Sequence, residues 1–414
     1  MRKGWEDATL AECTVGKASY GANAAAVDFD PALPRYLRIT DIDENGYLIV
    51  ENPKSINHAD AKGNYLERGD IVFARSGATV GKTYLHNSEQ VLAYAGYLIR
   101  FRPDRKRVLP EYLFLFTQSD HYKTWIKNNL RAGAQPNVNA QEYSDLLIPL
   151  PPLPEQRKIA AILRTWDDAI EKTESLIKAN EKRLFLLTTS LIFGHARLGK
   201  RPTHERAQHK WVSSPKDWKL QQIGDIAAER SELNTGGATH TVLSCSKHDG
   251  FVRSLDYFKK QIFSKNLAGY KTIYRGDFGF PSNHVEEGSI GLQNLEDKAL
   301  VSPIYIIFTP DEKRIHADFL FRLLKTKTYA HIFRASTSSS VDRRGNLRWA
   351  EFSSIPVCLP DLKEQQEISA FLKGQQNLID DLYRYKHALQ SQKRGLMQKL
   401  LTGEWRVQVD KEAA

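Results

Sequence analysis

Asp277 followed by Glu296-Asp297-Lys298 supplies an Asp…Glu-x-Lys set, the donor types that hold Mg²⁺ and activate water against a phosphodiester. The matching first-half aspartate, Asp70, has no Glu-x-Lys at the equivalent distance. The set therefore reads as a turn aspartate beside a solvated charge cluster, and a DNA-cleaving enzyme stays open as the alternative. Ser76-Gly77-Ala78-Thr79-Val80-Gly81-Lys82-Thr83 ends in Gly-Lys-Thr but lacks the first glycine of a phosphate-binding loop, so ATP hydrolysis is not expected. A methyltransferase needs a glycine-rich cofactor loop and an Asn/Asp-Pro-Pro-aromatic motif, whereas Pro151-Pro152 is flanked by leucines. Cys13, Cys245 and Cys358 match no zinc spacing, and His204 and His209 sit in a basic linker. The expectation is a chain with no catalytic residue, no metal and no cofactor of its own.

The remaining polar chemistry suits a polyanion. Lysine and arginine outnumber aspartate and glutamate by 59 to 49, a net charge of +10. Arg75, Ser76, Thr79 and Lys82 offer a guanidinium, hydroxyls and an ammonium in one loop. Arg131, Gln135, Asn137 and Asn139 add side-chain amides that can pair with adenine. Ser282, Asn283 and His284 occupy the corresponding place in the second half, as do Ser338, Ser339, Arg343, Arg344 and Asn346. Such loops contact phosphates and reach base edges, so these residues are the candidate DNA-binding set.

The elements that position these loops come twice. Leu150-Pro151-Pro152-Leu153-Pro154-Glu155-Gln156 parallels Leu359-Pro360-Asp361-Leu362-Lys363-Glu364-Gln365, and the offset of 209 continues without a gap to Arg197 and Arg406. Eleven identities fall in the 43 positions from Glu155 to Arg197, against roughly three expected from average residue usage. Glu67-Arg68-Gly69-Asp70-Ile71 parallels Tyr274-Arg275-Gly276-Asp277-Phe278, and Trp5 parallels Trp218. Each proline cluster opens a helical segment. In the first, Ile159, Leu163, Trp166, Ile170, Ile177, Leu184, Leu187 and Leu191 lie on a heptad seam; in the second, Ile368, Leu372, Ile379, Leu382, Leu389, Leu396 and Leu400 do. That spacing predicts a coiled coil, with Gly194 and Gly403 as helix stops. At 1.5 Å per residue, a helix of about 40 residues spans roughly 60 Å.

The variable segments read as mixed α/β. Tyr36–Ile39, Ile71–Ala74 and Gly96–Ile99 are strand-like, as are Thr241–Leu243 and Pro303–Phe308. One helix is expected in each, near Glu111–Asn128 and Ala317–Arg334. No apolar run reaches membrane-span length, since Leu184–Phe193 is interrupted by Thr188-Thr189-Ser190, and the N-terminus lacks a signal-peptide pattern. A cytoplasmic α+β protein with an internal duplication is expected: 1–152 and 201–356 as variable domains, 153–200 and 357–414 as helical segments.

The paired Pro-x-x-x-Glu-Gln openings, with Gly69-Asp70-Ile71 and Ser76–Lys82, resemble the specificity (S) subunit of Type I restriction-modification enzymes over essentially the whole chain. The second half departs at Ser282-Asn283-His284-Val285-Glu286-Glu287-Gly288, which replaces the glycine-rich form. The resemblance implies two target recognition domains, each reading one half of a bipartite double-stranded DNA site. It also implies that two long antiparallel helices separate them and dock two methylation subunits, with restriction subunits joining later. S-adenosylmethionine, ATP and Mg²⁺ would belong to those partners. The departure implies that the two domains read different half-sites.

Overall fold

The computed structural model describes residues 4–130, 136–201, 205–235, 240–247, 249–258, 260–283, 285–337 and 346–409. The chain divides into two compact units, Met1–Ser175 with Arg384–Ala414, and Leu176–Tyr383.

In the first unit, strand β1 (Glu6–Thr9) is followed by β2 (Ser19–Tyr20), β3 (Ile71–Ala74), β4 (Thr83–Leu85) and β5 (Leu98–Phe101). The central sheet has the order β2-β5-β3-β4, with Phe73 opposite Ile99 and Ile71 opposite Phe101. Every side chain of β3, Ile-Val-Phe-Ala, is buried, as expected of a branched and aromatic run covered on both faces. Helices α1 (Pro110–Thr117), α2 (Asp120–Asn129) and α3 (Ala140–Ser144) follow, then β6 (Leu147–Leu150), which pairs antiparallel with β1. Helix α4 (Leu153–Ile192) starts next.

The second unit repeats this order. Its strands are β7 (Lys219–Gln222), β8 (Ala227–Arg230), β9 (Phe278–Pro281), β10 (Gly291–Leu292) and β11 (Tyr305–Pro310). The central sheet runs β8-β11-β9-β10, the same order as in the first unit. Helices α5 (Ala317–Leu324), α6 (Lys327–Ser336) and α7 (Trp349–Ser353) lead to β12 (Pro356–Leu359), paired with β7, and to α8 (Leu362–Leu401). The heads differ beyond this shared frame. The first adds a four-stranded sheet with a parallel pairing of Arg35–Leu37 and Leu92–Tyr94, whereas the second adds three antiparallel ribbons among the described residues, Arg206–Gln208 with Ser213–Pro215, Leu243–Ser246 with Gly250–Arg253 and Lys271–Tyr274 with Lys298–Val301.

One expectation is corrected. The single helix expected near Glu111–Asn128 is broken in two, because the Ser119 hydroxyl accepts the Tyr122 N–H and starts a new helix. Thr326 does the same for Tyr329 in the second unit, splitting Ala317–Arg334. The two long helices of the expected coiled coil are present, and the ends of their seams are built into the heads. Ile159 and Leu163, at the start of α4, belong to the core of the first head, together with Met397, Leu400 and Leu401 at the end of α8. Leu191, Ile368 and Leu372 belong to the core of the second. Ile177, Ile379 and Leu389 are buried, while Trp166, Ile170, Leu184, Leu187, Leu382 and Leu396 are half-buried.

Within each unit the helix segments run antiparallel. In the first, Lys386 pairs with Glu174 at 3.2 Å and Lys393 with Asp167 at 2.5 Å. In the second, the Tyr383 hydroxyl donates to Glu181 at 2.7 Å. Each Glu-Gln opening has two tasks. The Gln156 carboxamide accepts from Leu109 N–H (2.8 Å) and donates to the carbonyls of Arg107 (2.9 Å) and Pro151 (2.8 Å). Gln365 repeats this with His316, Arg314 and Pro360. Glu155 receives Arg406 at 2.7 and 2.8 Å, and Trp5 Nε1 at 3.0 Å. Glu364 receives Arg197 at 2.8 and 2.6 Å, and the Arg197 guanidinium lies 6.0 Å from the Trp218 ring centre. Gly194 makes this approach possible: its φ is +63°, and a Cβ there would meet Pro215 Cγ at 2.5 Å.

The two pairs differ in burial. Arg197 and Glu364 side chains are 3% and 1% exposed, whereas Arg406 is 43% exposed over a Glu155 at 4%. Removing one partner of a fully buried pair costs about 3–5 kcal/mol, because the other charge is stranded. Solvent screening makes the exposed pair worth less. Arg197→Ala is therefore expected to destabilise the second unit by that amount and Arg406→Ala to cost the first unit less. Urea unfolding followed by tryptophan fluorescence checks this; equal losses would contradict it.

Candidate nucleic-acid interface

Residues 75–82 join β3 to β4 and hold one turn of 3₁₀ helix, Gly77–Thr79. A segment some sixty residues later is laced onto them. Val138 N–H donates to the Arg75 carbonyl at 2.9 Å, Gly77 N–H donates to the Pro136 carbonyl at 3.0 Å, and Ser76 bridges Asn137. The second unit repeats the lacing: Leu347 N–H donates to the Ser282 carbonyl at 2.9 Å, and Ser282 Oγ donates to Asn346 Oδ1 at 3.4 Å. Val138 and Leu347, 209 positions apart, are both fully buried and anchor the returning segments. In both heads, two sequence-distant loops thus form one polar surface at the end of the equivalent central strand.

The side chains on those surfaces are not the same. In the first head Arg75 is half-buried, its guanidinium 4.9 Å from the Tyr20 ring centre. Asn137 is exposed, and Thr79 Oγ1 donates to the Ser76 carbonyl at 3.4 Å. In the second head Ser282 and Asn346 line a cleft of about 460 Å³ with Lys271, Arg348, Trp349 and Glu229, and Asn283 follows half-buried. Burial lowers the pKa of the Lys271 ammonium, which donates to the Tyr305 carbonyl at 2.6 Å.

Other expected residues have work inside the fold. Lys82 is held by Glu44 at 2.7 Å and by the Ile42 carbonyl at 3.2 Å. Asn139 caps α3, accepting from Glu142 N–H while Glu142 receives the Asn139 N–H. Arg131, Gln135, His284, Ser338, Ser339, Arg343 and Arg344 lie outside the described residues. Sequence reasoning did not single out Tyr20, Lys271, Arg348 or Trp349. Trp349 stands three residues after Asn346, and that proximity was the one available signal.

The Asp…Glu-x-Lys set serves structure. Asp277 is 1% exposed and receives Arg230 at 3.0 Å, Thr309 Oγ1 at 2.6 Å and Tyr274 N–H at 2.9 Å. Asp70 has the same place in the first head, with Arg102 at 2.9 Å and Glu67 N–H at 2.9 Å. Glu296 pairs with Arg253 and Lys298 with Glu232. Among the described residues, no cluster of three or more His, Cys, Asp or Glu could hold a metal ion. Burial pushes the Cys13 thiol up to about 11 and the Cys245 thiol up to about 12, which makes poor nucleophiles of both. Among the described residues, no helix is long and apolar enough to cross a membrane.

The profile of the family described as the Type I restriction modification DNA specificity domain matches residues 36–180 and 215–384. The MjaVIII specificity subunit of a Type I restriction enzyme from Methanocaldococcus jannaschii is 25% identical over 365 residues, 83% of this chain and 80% of that one. The EcoBI specificity subunit of Escherichia coli is 22% identical over 200 residues, 47% of this chain and 41% of that one. The crystal structure of the HsdS subunit from Thermoanaerobacter tengcongensis shares the fold with a TM-score of 0.54 and 19% identity, over 97% of each chain. So does a chain from a structure on complex assembly and conformational transition of the type I R-M system, with a TM-score of 0.60 and 18% identity, over 97% of this chain and 98% of that one.

Asp277→Asn tests the structural assignment of this aspartate. The amide keeps the shape but loses the charge facing Arg230, so a stability loss of about 1–3 kcal/mol is expected. Thermal unfolding measures it. An unchanged midpoint together with loss of a Mg²⁺-dependent DNA cleavage would reinstate the nuclease reading.

Proposed function

The chain belongs to the Type I restriction-modification DNA specificity family, and on that premise we propose that residues 1–152 and 201–356 each read one half of a bipartite DNA site. It is the non-catalytic DNA-recognition subunit of its complex and docks the methylation subunits, with restriction subunits as further partners. Helices α4 and α8, within the segments 153–200 and 357–414, carry this docking. The methyl donor, ATP and Mg²⁺ sit on those partners, and the complex works in the cytoplasm, where the DNA is.

The observation that carries the assignment is the repeated lacing on unlike side chains. Arg75 and Ser282 occupy the same position, each accepting the N–H of a buried anchor, yet one presents a guanidinium and the other a hydroxyl. An identical scaffold with different donors reads different bases. Arg75, Ser76, Asn137, Ser282, Asn283 and Asn346 form the core of the proposed contact set. Thr79 lies at its edge, and the undescribed loop residues Arg131, Gln135, His284, Ser338, Ser339, Arg343 and Arg344 complete it. Lys82 and Asn139 contribute only through backbone or by exchanging their internal partners. The net charge of +10 favours the duplex regardless of sequence.

Exchanging residues 1–150 for the corresponding part of another family member is expected to change one half-site of the methylated motif and leave the other intact. Sequencing that maps methylated bases reads this directly; a change in both halves would contradict one-head-one-half-site reading. Binding of the assembled complex to DNA is also expected to weaken linearly with log salt, as counterion release requires. A salt-independent affinity would remove the electrostatic part of the proposal.

A further inference from the structure

Arg75 departs from every other arginine around it. Each of the other described arginines among residues 4–150 donates to a carboxylate, a side-chain amide or a backbone carbonyl. The Arg75 Nε–H is buried and has no acceptor among the described residues. A desolvated donor without a partner is costly and calls for a reason. Nor is the side chain loose. Its backbone is held on both sides, by the Tyr97 carbonyl accepting Arg75 N–H at 3.0 Å and by Val138 N–H reaching the Arg75 carbonyl. Its guanidinium lies over the Tyr20 ring, and the Tyr20 hydroxyl is fixed by the Ala140 N–H at 3.2 Å, at the start of α3. The side chain is therefore clamped and stacked, with its buried Nε–H unsatisfied.

This geometry points to Arg75 as a specificity-determining residue that reads a guanine in the half-site of the first head, with Tyr20 as its positioning residue; the inference rests on the DNA-reading role proposed above. Guanine presents two acceptors, O6 and N7, on its major-groove edge, spaced for two parallel N–H donors of one guanidinium. A phosphate can also take a guanidinium fork, but it carries no sequence, so the two are told apart by whether one base position loses its discrimination. Stacking on Tyr20 fixes the guanidinium plane before DNA arrives, so little side-chain entropy is lost on binding. Exposed Asn137, bridged to the neighbouring Ser76, is placed to contact the adjoining base pair.

The test uses the full chain assembled with its methylation subunits and maps methylated bases on a library of genomic fragments. The wild-type motif is expected to contain an invariant G·C pair in the half-site assigned to the first head by the domain exchange. Arg75→Ala is expected to make that one position degenerate, to lower methylation of the original site by about 5- to 100-fold, and to leave the second half-site unchanged. Arg75→Lys keeps the charge and loses the fork, so it is expected to restore binding to DNA at large but not the discrimination. Tyr20→Ala is expected to weaken discrimination at the same position and no other. A first half-site without any G·C pair, or an Arg75→Ala variant that methylates the unaltered motif more slowly at every site, would overturn the inference and make Arg75 a phosphate contact. Thermal unfolding of Arg75→Lys separates a folding defect from a reading defect, since only the latter leaves the melting midpoint in place. A wild-type complex that methylates no bipartite motif would instead sink the DNA-reading role on which the inference rests.

Discussion

A carboxylate at the first turn of one long helix meets a guanidinium just past the end of the other, and this happens once in each unit. Glu155 with Arg406, and Glu364 with Arg197, tie together chain segments that are far apart in sequence. In each case a tryptophan from the start of the head packs on the arginine, Trp5 on Arg406 and Trp218 on Arg197. The adjoining glutamine binds the loop that leads into the head's first helix of the α1 or α5 type. Helix, head and returning helix end are therefore joined at one buried polar node. Because the carboxylate of each node is buried, a shift of its arginine strands it, most of all in the second unit, where Arg197 is buried too.

The node explains why the helix seams vanish into the heads at their ends. Ile159 and Leu163 follow directly from Glu155 and enter the first core, where Met397, Leu400 and Leu401 meet them. Ile368 and Leu372 do the same after Glu364, beside Leu191. A head is thus packed around its helix ends, so the laced loops proposed to read bases are borne on a continuous core. Rigid support of this kind keeps base-edge donors where a short loop alone would not.

The frame is common to both heads, and the side chains on the laced loops are not. The same sheet order and the same buried anchor hold Arg75 over Tyr20 in one head, and Ser282 beside Asn346 and Trp349 in the other. Change is tolerated there because those positions lie at a strand end, outside the core and outside the node.

The duplication, the two long helices and the stop at Gly194 were legible in periodicity, proline placement and a constant offset, and the DNA-reading family in the resemblance of the two helix openings and of residues 69–82 to that family's pattern. The breaks at Ser119 and Thr326 were not, because a hydroxyl that caps a helix looks in sequence like any polar helix residue. Lys82 and Asn139 had the right chemistry for DNA but met Glu44 and the α3 N-terminus first. Asp277 and Glu296 had the right chemistry for a metal but met Arg230 and Arg253. Local pattern determines which segments are helix and which faces are apolar, since those preferences act over a few residues. Which polar group is satisfied and which is left open, as Arg75 is above Tyr20, was decided only by the tertiary structure, because it depends on which distant segments the core brings within 3 Å or so of one another.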